Sequence, residues 1–308
     1  MKKTESARTW FLKGCRYDSL APDSDQAIEA YRKSLQLDKT LTEACVNLGF
    51  IYLKRKRYDD ALICFEQVVG LDPDNPDTYN NLGYVYERME RTGSAKQMYQ
   101  RALEVDPGNT EAMLNIAQVL DLEGNYHGAI EQYQRTIAAD PHASAAHFCL
   151  AVLYDRHDMF DEAIEEYQKA LVDNPDYLKA LLNLGNLYGQ LGDHPRAIAA
   201  LNRALQLDPE HAEAWNSLGS LYEEREDYEQ AMAALERCIA CDPLYEDAHV
   251  NLARLQYRAY QAHPERSTKK EILRRLDFIL SVYPHNRTGR QLLERLSEQR
   301  GQVLNCEF

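Results

Sequence analysis

Glycine and proline are scarce in this 308-residue sequence, at 14 and 11 residues. Turn-rich all-β folds use both freely, so that class is disfavoured from the outset. Tryptophan occurs twice, against 20 tyrosines and seven phenylalanines, a skew that asks for a structural reason. Basic residues are the minority: 35 Lys and Arg face 49 Asp and Glu, a formal charge of −14. Phosphate binding needs a basic face, so no nucleic-acid partner is expected. No apolar run approaches the ~20 residues that span a bilayer, which argues against membrane insertion. The charged opening Met1-Lys2-Lys3-Thr4-Glu5 lacks the apolar core of a secretory signal. The seven cysteines then read as reduced thiols of a cytoplasmic protein. Cys238 and Cys241 make one CxxC with no second pair, which fits helix packing better than zinc or redox chemistry. Phosphate-loop, HExxH, GxSxG and dinucleotide-binding glycine motifs are all missing.

What the sequence does contain is a period. Pro73, Pro107, Pro141, Pro175, Pro209 and Pro243 are each 34 residues apart, and each follows Asp or Asn. Ala61, Ala95, Ala129, Ala163, Ala197 and Ala231 keep the same register. So do Leu48, Leu82, Ile116, Leu150, Leu184 and Leu218. Tyr52, Tyr86, Tyr154, Tyr188 and Tyr222, with Leu120 in the third copy, account for much of the aromatic skew. Self-similarity at such a period marks a repeat architecture.

These residues resemble the tetratricopeptide repeat, whose 34-residue unit carries Leu-Gly, Tyr, Ala, an aromatic ring and Pro in this order. The segment Trp215-Asn-Ser-Leu218-Gly219-Ser-Leu-Tyr222, continuing to Ala231, Leu235, Cys238 and Pro243, is the fullest copy. Counting positions 1–34 within a repeat, full copies span 42–75, 76–109, 110–143, 144–177, 178–211 and 212–245. Degenerate copies occupy 7–41 and 246–286, the latter with about seven extra residues. Residues 287–308 read as a capping helix and tail. The resemblance implies one all-α solenoid, a right-handed superhelix of antiparallel helix pairs. Helix A supplies Leu at position 7, a small residue at 8 and Tyr at 11. Helix B supplies Ala at 20 and a ring at 24. The spacing is that of an apolar helical stripe, and stability comes from stacking neighbours.

The repeats leave few residues for an appended catalytic domain, so no enzyme activity, cofactor or metal is expected. The family implies that helix A lines a concave groove at positions 2, 5, 6, 9, 12 and 13. Position 6 reads Asn47, Asn81, Asn115, Cys149, Asn183, Ser217 and Asn251. An amide both donates and accepts, so it can pair with any peptide unit. The row resembles the asparagine ladder in the repeat half of O-linked N-acetylglucosamine transferases, which holds an extended peptide by its backbone. Position 5 adds Asn80, Phe148 and Asn216; position 9 adds Phe50, Tyr84, Asn186 and Arg254. Position 13 adds Lys54, Arg88, Arg156 and Arg258. The N-terminal half thus offers aromatics beside cations. Of the lysines and arginine of the family's chaperone-type carboxylate clamp, only the position-2 lysine has a counterpart, Lys179, and it stands alone. Residues 254–308 hold eleven Lys/Arg against six Asp/Glu, including Arg266, Lys269, Lys270, Arg274 and Arg275, so the acidity belongs to the remainder. The expected function is a non-enzymatic adaptor that binds a protein or peptide, as an extended segment or a helix, in the groove. A self-assembling structural protein and a regulatory subunit of a separately encoded enzyme are the alternatives.

Overall fold

A computed structural model describes residues 6–262 and 269–304, with side chains as far as Ser297. Arg266 and Cys306 lie outside the described residues. Among those described, the chain is all helix. Helices A are α1 (Ala7–Leu20), α3 (Thr42–Lys54), α5 (Pro76–Arg88), α7 (Thr110–Leu122), α9 (Ser144–Arg156), α11 (Leu178–Gln190), α13 (Ala212–Glu224) and α15 (Glu246–Ala262). Helices B are α2 (Asp25–Leu37), α4 (Tyr58–Leu71), α6 (Thr92–Val105), α8 (Tyr126–Ala139), α10 (Phe160–Asp173), α12 (His194–Leu207), α14 (Tyr228–Cys241) and α16 (Lys269–Val282). A last helix, α17, covers Arg287–Leu304. From α3 to α15 each helix A starts 34 residues after the one before. The chain forms two compact units, residues 1–153 and 154–308, divided within α9.

Local chemistry sets the helix ends. In all six full copies the amide of position 16 donates to the carbonyl of position 11: Arg57 to Tyr52 at 2.8 Å, Arg91 to Tyr86 at 2.9 Å, Asn125 to Leu120 at 2.9 Å, Met159 to Tyr154 at 3.0 Å, Asp193 to Tyr188 at 2.8 Å and Asp227 to Tyr222 at 2.9 Å. This is the Schellman closure, which needs a left-handed residue just before the donor. Position 15 supplies it, with φ near +60° at Lys56, Glu90, Asp158 and Glu226 and glycine at Gly124 and Gly192. Helix B stops at the Asp-Pro step, because a residue before proline disfavours the α conformation. The aspartate there then accepts from the backbone two residues on, as Asp106 does from Gly108 at 3.0 Å and Asp242 from Leu244 at 2.9 Å.

The core is the recurring ring and its neighbours. Tyr31, Phe65, Tyr99 and Tyr133 are buried in the first unit, and Tyr167, Leu201 and Leu235 in the second. Each such side chain contributes roughly 1.5–3 kcal/mol through burial. Position 8 must be small because the ring lies against it: a Cβ on Gly49 would meet Phe65 Cζ at 2.8 Å. At the C-terminal end α16 starts seven residues later than the period would place it, after an α15 of 17 residues where other full helices A have 13. Ile272, Leu276 and Ile279 pack with Leu292 and Leu296 of α17, so α17 covers the last helix pair.

Candidate functional site

Helix A fixes which side chains share a face, since positions 2, 5, 6, 9 and 13 recur at three- and four-residue intervals. The first unit carries Asn47, Phe50 and Lys54 on α3, then Asn80, Asn81, Tyr84 and Arg88 on α5, then Asn115 on α7, then Phe148 on α9. Arg156 of α9 falls in the second unit, with Asn183 and Asn186 on α11, Asn216 on α13, and Asn251, Arg254 and Arg258 on α15.

The asparagines at position 6 do not form a uniform row. Asn47 is half-buried, and its Nδ2 donates to the Tyr31 hydroxyl at 3.2 Å and to Cys15 Sγ at 3.9 Å. Asn183 Nδ2 donates likewise to the Tyr167 hydroxyl at 3.1 Å. In both cases the partner is the position-24 tyrosine of the preceding repeat. Phe65 stands at that place before Asn81 and has no hydroxyl. Before Asn115 the Tyr99 hydroxyl donates to Glu87 Oε2 at 3.1 Å and accepts nothing from Asn115. Asn81 and Asn115 therefore keep amides without a hydrogen-bond partner among the described residues. Tyr167 in turn donates to Asp155 Oδ2 at 3.3 Å, and burial raises the Asp155 carboxyl above the ordinary carboxylate range.

Position 5 turns inward. Asn80 is only 3% exposed and donates to Asn109 Oδ1 at 3.0 Å, the side chain that caps α7. The Oδ1 atoms of Asn80 and Asn216 are buried and unpaired. Phe148 is half-buried. Position 9 turns outward: Phe50 is 41% and Tyr84 46% exposed, and Asn186 is exposed. The Phe50 ring sits edge-on to Phe65 with centroids 5.5 Å apart, which holds it in place.

The cations differ among themselves. Lys54 Nζ lies 3.5 Å from Asp23 Oδ1. A cleft of about 320 Å³ brings Asn47, Phe50 and Lys54 together with Asp18, Asp23 and Cys15, so this end of the face carries two carboxylates against one ammonium. Arg254 pairs with Glu223 at 2.6 Å, and the Arg258 guanidinium stacks over the Tyr228 ring, 4.5 Å from its centroid. Arg156 is exposed. Arg88 is exposed and makes no ion pair among the described residues. The first unit therefore presents two outward rings, two unengaged amides and one unengaged guanidinium on consecutive helices A. That set can grip a peptide through stacking, backbone pairing and a carboxylate contact.

Two sets of residues escaped the sequence reading. Position 4 carries a ring donor that reaches the carbonyl of the preceding repeat's proline: Tyr79 to Pro73 at 3.0 Å, His147 to Pro141 at 3.2 Å, Trp215 to Pro209 at 2.9 Å and His249 to Pro243 at 3.0 Å. The signal was present, because each ring stands six residues after its proline. The acids at position 12, Glu87 and Asp155, left no such mark. Cys45, Cys64 and Cys238 are core groups: burial pushes the thiol pKa of Cys45 up to about 11 and of Cys64 and Cys238 to about 12.

Models described as tetratricopeptide repeat match residues 7–41, 42–108, 87–147 and 184–258, and one described as TPR repeat matches 159–192. No curated protein matches the chain. Among solved structures, the C-terminal part of a TPR repeat-containing protein from Cytophaga hutchinsonii superposes with a TM-score of 0.64 at 16% identity, covering 80% of this chain and 98% of that one. PilF of Pseudomonas aeruginosa gives 0.60 at 19%, covering 70% and 98%. A tetratricopeptide repeat protein from Parabacteroides merdae gives 0.57 at 17%, covering 82% and 99%. At these identities the likeness is one of fold.

Proposed function

We propose that this chain, which belongs to the tetratricopeptide repeat family, acts as a protein-interaction scaffold whose partner segment docks on the helix A face of its first unit. The scaffold role itself follows from the repeat fold, which is typically non-catalytic. The observation that carries the finer reading is the contrast along one face. Asn47 spends its amide on Tyr31, and Asn80 on Asn109. Phe50 and Tyr84 stay outward and large, and Asn81, Asn115 and Arg88 keep their polar groups unengaged. A rigid aromatic pair loses little entropy on binding, which suits a recognition anchor. The segment that fits has an apolar or aromatic residue against Phe50 and Tyr84 and a carboxylate for Arg88.

The test is to pan a random peptide library on the immobilised chain. Enriched peptides should lose at least about tenfold in affinity for a variant carrying Phe50→Ala, Tyr84→Ala and Arg88→Ala, with helical circular dichroism unchanged. Equal affinity for the variant would remove this face from the account.

A further inference from the structure

A second candidate surface lies within the second unit, on its helices B. A cleft of about 1120 Å³ opens between α14 and α16 over α15. It occurs where α15 is extended and α16 begins seven residues late. Its size exceeds the usual range for small-molecule pockets, about 300–1,000 Å³.

The two walls are helical stripes. On α14 the lining residues Glu229, Met232, Ala233 and Glu236 follow the i, i+3, i+4, i+7 rule, and on α16 Glu271, Arg274, Arg275 and Phe278 do the same. Leu255, Gln256 and Ala259 of α15 form the floor. Phe278 is 36% exposed, and its ring packs on His249 with centroids 4.7 Å apart. Met232, Leu255, Ala259 and Phe278 give the middle of the cleft an apolar strip beside Gln256 and His249.

The rims differ in charge, with Glu229 and Glu236 on α14 and Arg274 and Arg275 beside Glu271 on α16. Glu229 and Glu236 are exposed on α14 and make no ion pair among the described residues. Arg274 is exposed on α16 and is likewise unpaired there. Arg275 is half-buried, and its polar contacts are neutral: Nε donates to Gln256 Oε1 at 3.2 Å, and Nη1 lies 3.5 Å from His249 Nδ1. Glu236 across the cleft and Glu271 on its own helix act on the guanidinium through space, but among the described residues neither makes a direct ion pair with it, and a desolvated charge gains most from a direct partner.

We propose that this cleft docks an amphipathic α-helix of a partner protein. Its apolar ridge would lie on Met232, Leu255, Ala259 and Phe278. One flank would be acidic against Arg274 and Arg275, the other basic against Glu229 and Glu236. This is the helix-in-groove mode of recognition, with charge on both rims setting the choice of partner. The surface is separate from the helix A face of the first unit, and the inference does not rest on that reading.

The test uses the full chain and three stapled, fluorescent helices of about 15 residues, a length at which an isolated helix needs the staple. All share the leucine ridge. One has glutamates on one flank and lysines on the other, one has glutamates on both, and one has lysines on both. The mixed helix should bind tightest, by roughly tenfold over the others. The doubly exposed change Glu229→Lys with Glu236→Lys should shift the preference to the all-glutamate helix, with circular dichroism unchanged. Phe50→Ala with Tyr84→Ala should leave the binding of all three helices unaltered. Absence of binding, equal binding of the three, or an unchanged order in the charge-reversed variant would overturn the proposal. So would a dimer of the chain alone that the charge reversal dissociates, since a second copy would then occupy the cleft.

Discussion

The side-chain amide of Asn183 donates to the Tyr167 hydroxyl, 3.1 Å away, across the junction of two repeats. The hydroxyl of that tyrosine donates in turn to Asp155 Oδ2 at 3.3 Å. An asparagine at position 6 is therefore not automatically a ligand group. Where the preceding ring places a hydroxyl within reach, the amide is drawn into the inter-repeat packing. Asn47 and Tyr31 repeat the arrangement at 3.2 Å.

The pair should behave as a coupled unit. Asn183→Ala and Tyr167→Phe should each cost about 1 kcal/mol in urea unfolding. The double variant should cost less than the sum of the two, because their shared bond is lost only once, while Tyr167→Phe gives up its bond to Asp155 in either background. Strict additivity would mean that the contact carries no energy.

Position 15 holds a reserve of stability. Glu90 and Glu226 sit at φ +60° and +62°, where the equivalent Gly124 and Gly192 are unstrained. A side chain in the left-handed region costs roughly 1–2 kcal/mol, part of which glycine returns through its greater chain entropy. Glu90→Gly and Glu226→Gly should each stabilise the protein by about 0.5–1 kcal/mol, read as a higher denaturation midpoint at unchanged slope.

His249 gives the second unit a defined pH response. Burial lowers its pKa below the ordinary 6.5; the hydrogen bond to the Pro243 carbonyl opposes this in part, Arg275 adds a smaller lowering, and Asp242 opposes it least. A depressed folded-state pKa stabilises the fold above the unfolded value, and that contribution is lost as pH falls through the folded value. The wild-type chain should thus lose stability between pH 7.5 and 5.5. His249→Tyr, which keeps a ring donor as Tyr79 does toward Pro73, should lose less over the same range. Parallel pH profiles would show that His249 does not titrate on unfolding.

The fold was legible because the period is redundant. Pro at position 32, Ala at 20 and Leu at 7 each report the same register, and each is tied to backbone close approach or to a helix end. The turn between helices was not legible, because Lys56, Glu90, Asp158 and Glu226 enter the left-handed region without being glycine. Cooperative packing of the two helices holds them there. The face was legible as positions but not as chemistry. Asn80 and Asn81 are neighbours of one residue type, yet the first is buried and donates to the side chain that caps α7, and the second is half-buried with a free amide. Which amide is consumed depends on the ring one repeat earlier, and which cation is free depends on an acid in a preceding loop, as Asp23 shows for Lys54. The cleft between α14 and α16 follows from a seven-residue departure from the period that the sequence marked plainly, although its charged rims needed the packing to be seen.

The most direct test of the scaffold account places a photo-crosslinking amino acid at Tyr84 in the full chain, and separately at exposed Glu66 on helix α4 as the control. Irradiation in extract of the native cells, followed by mass spectrometry, reads which position touches a partner. The account predicts a discrete crosslinked protein at position 84 that is missing at position 66 and is lost when Phe50 and Arg88 are also changed to alanine. The same products at both positions, or none at position 84, would contradict it.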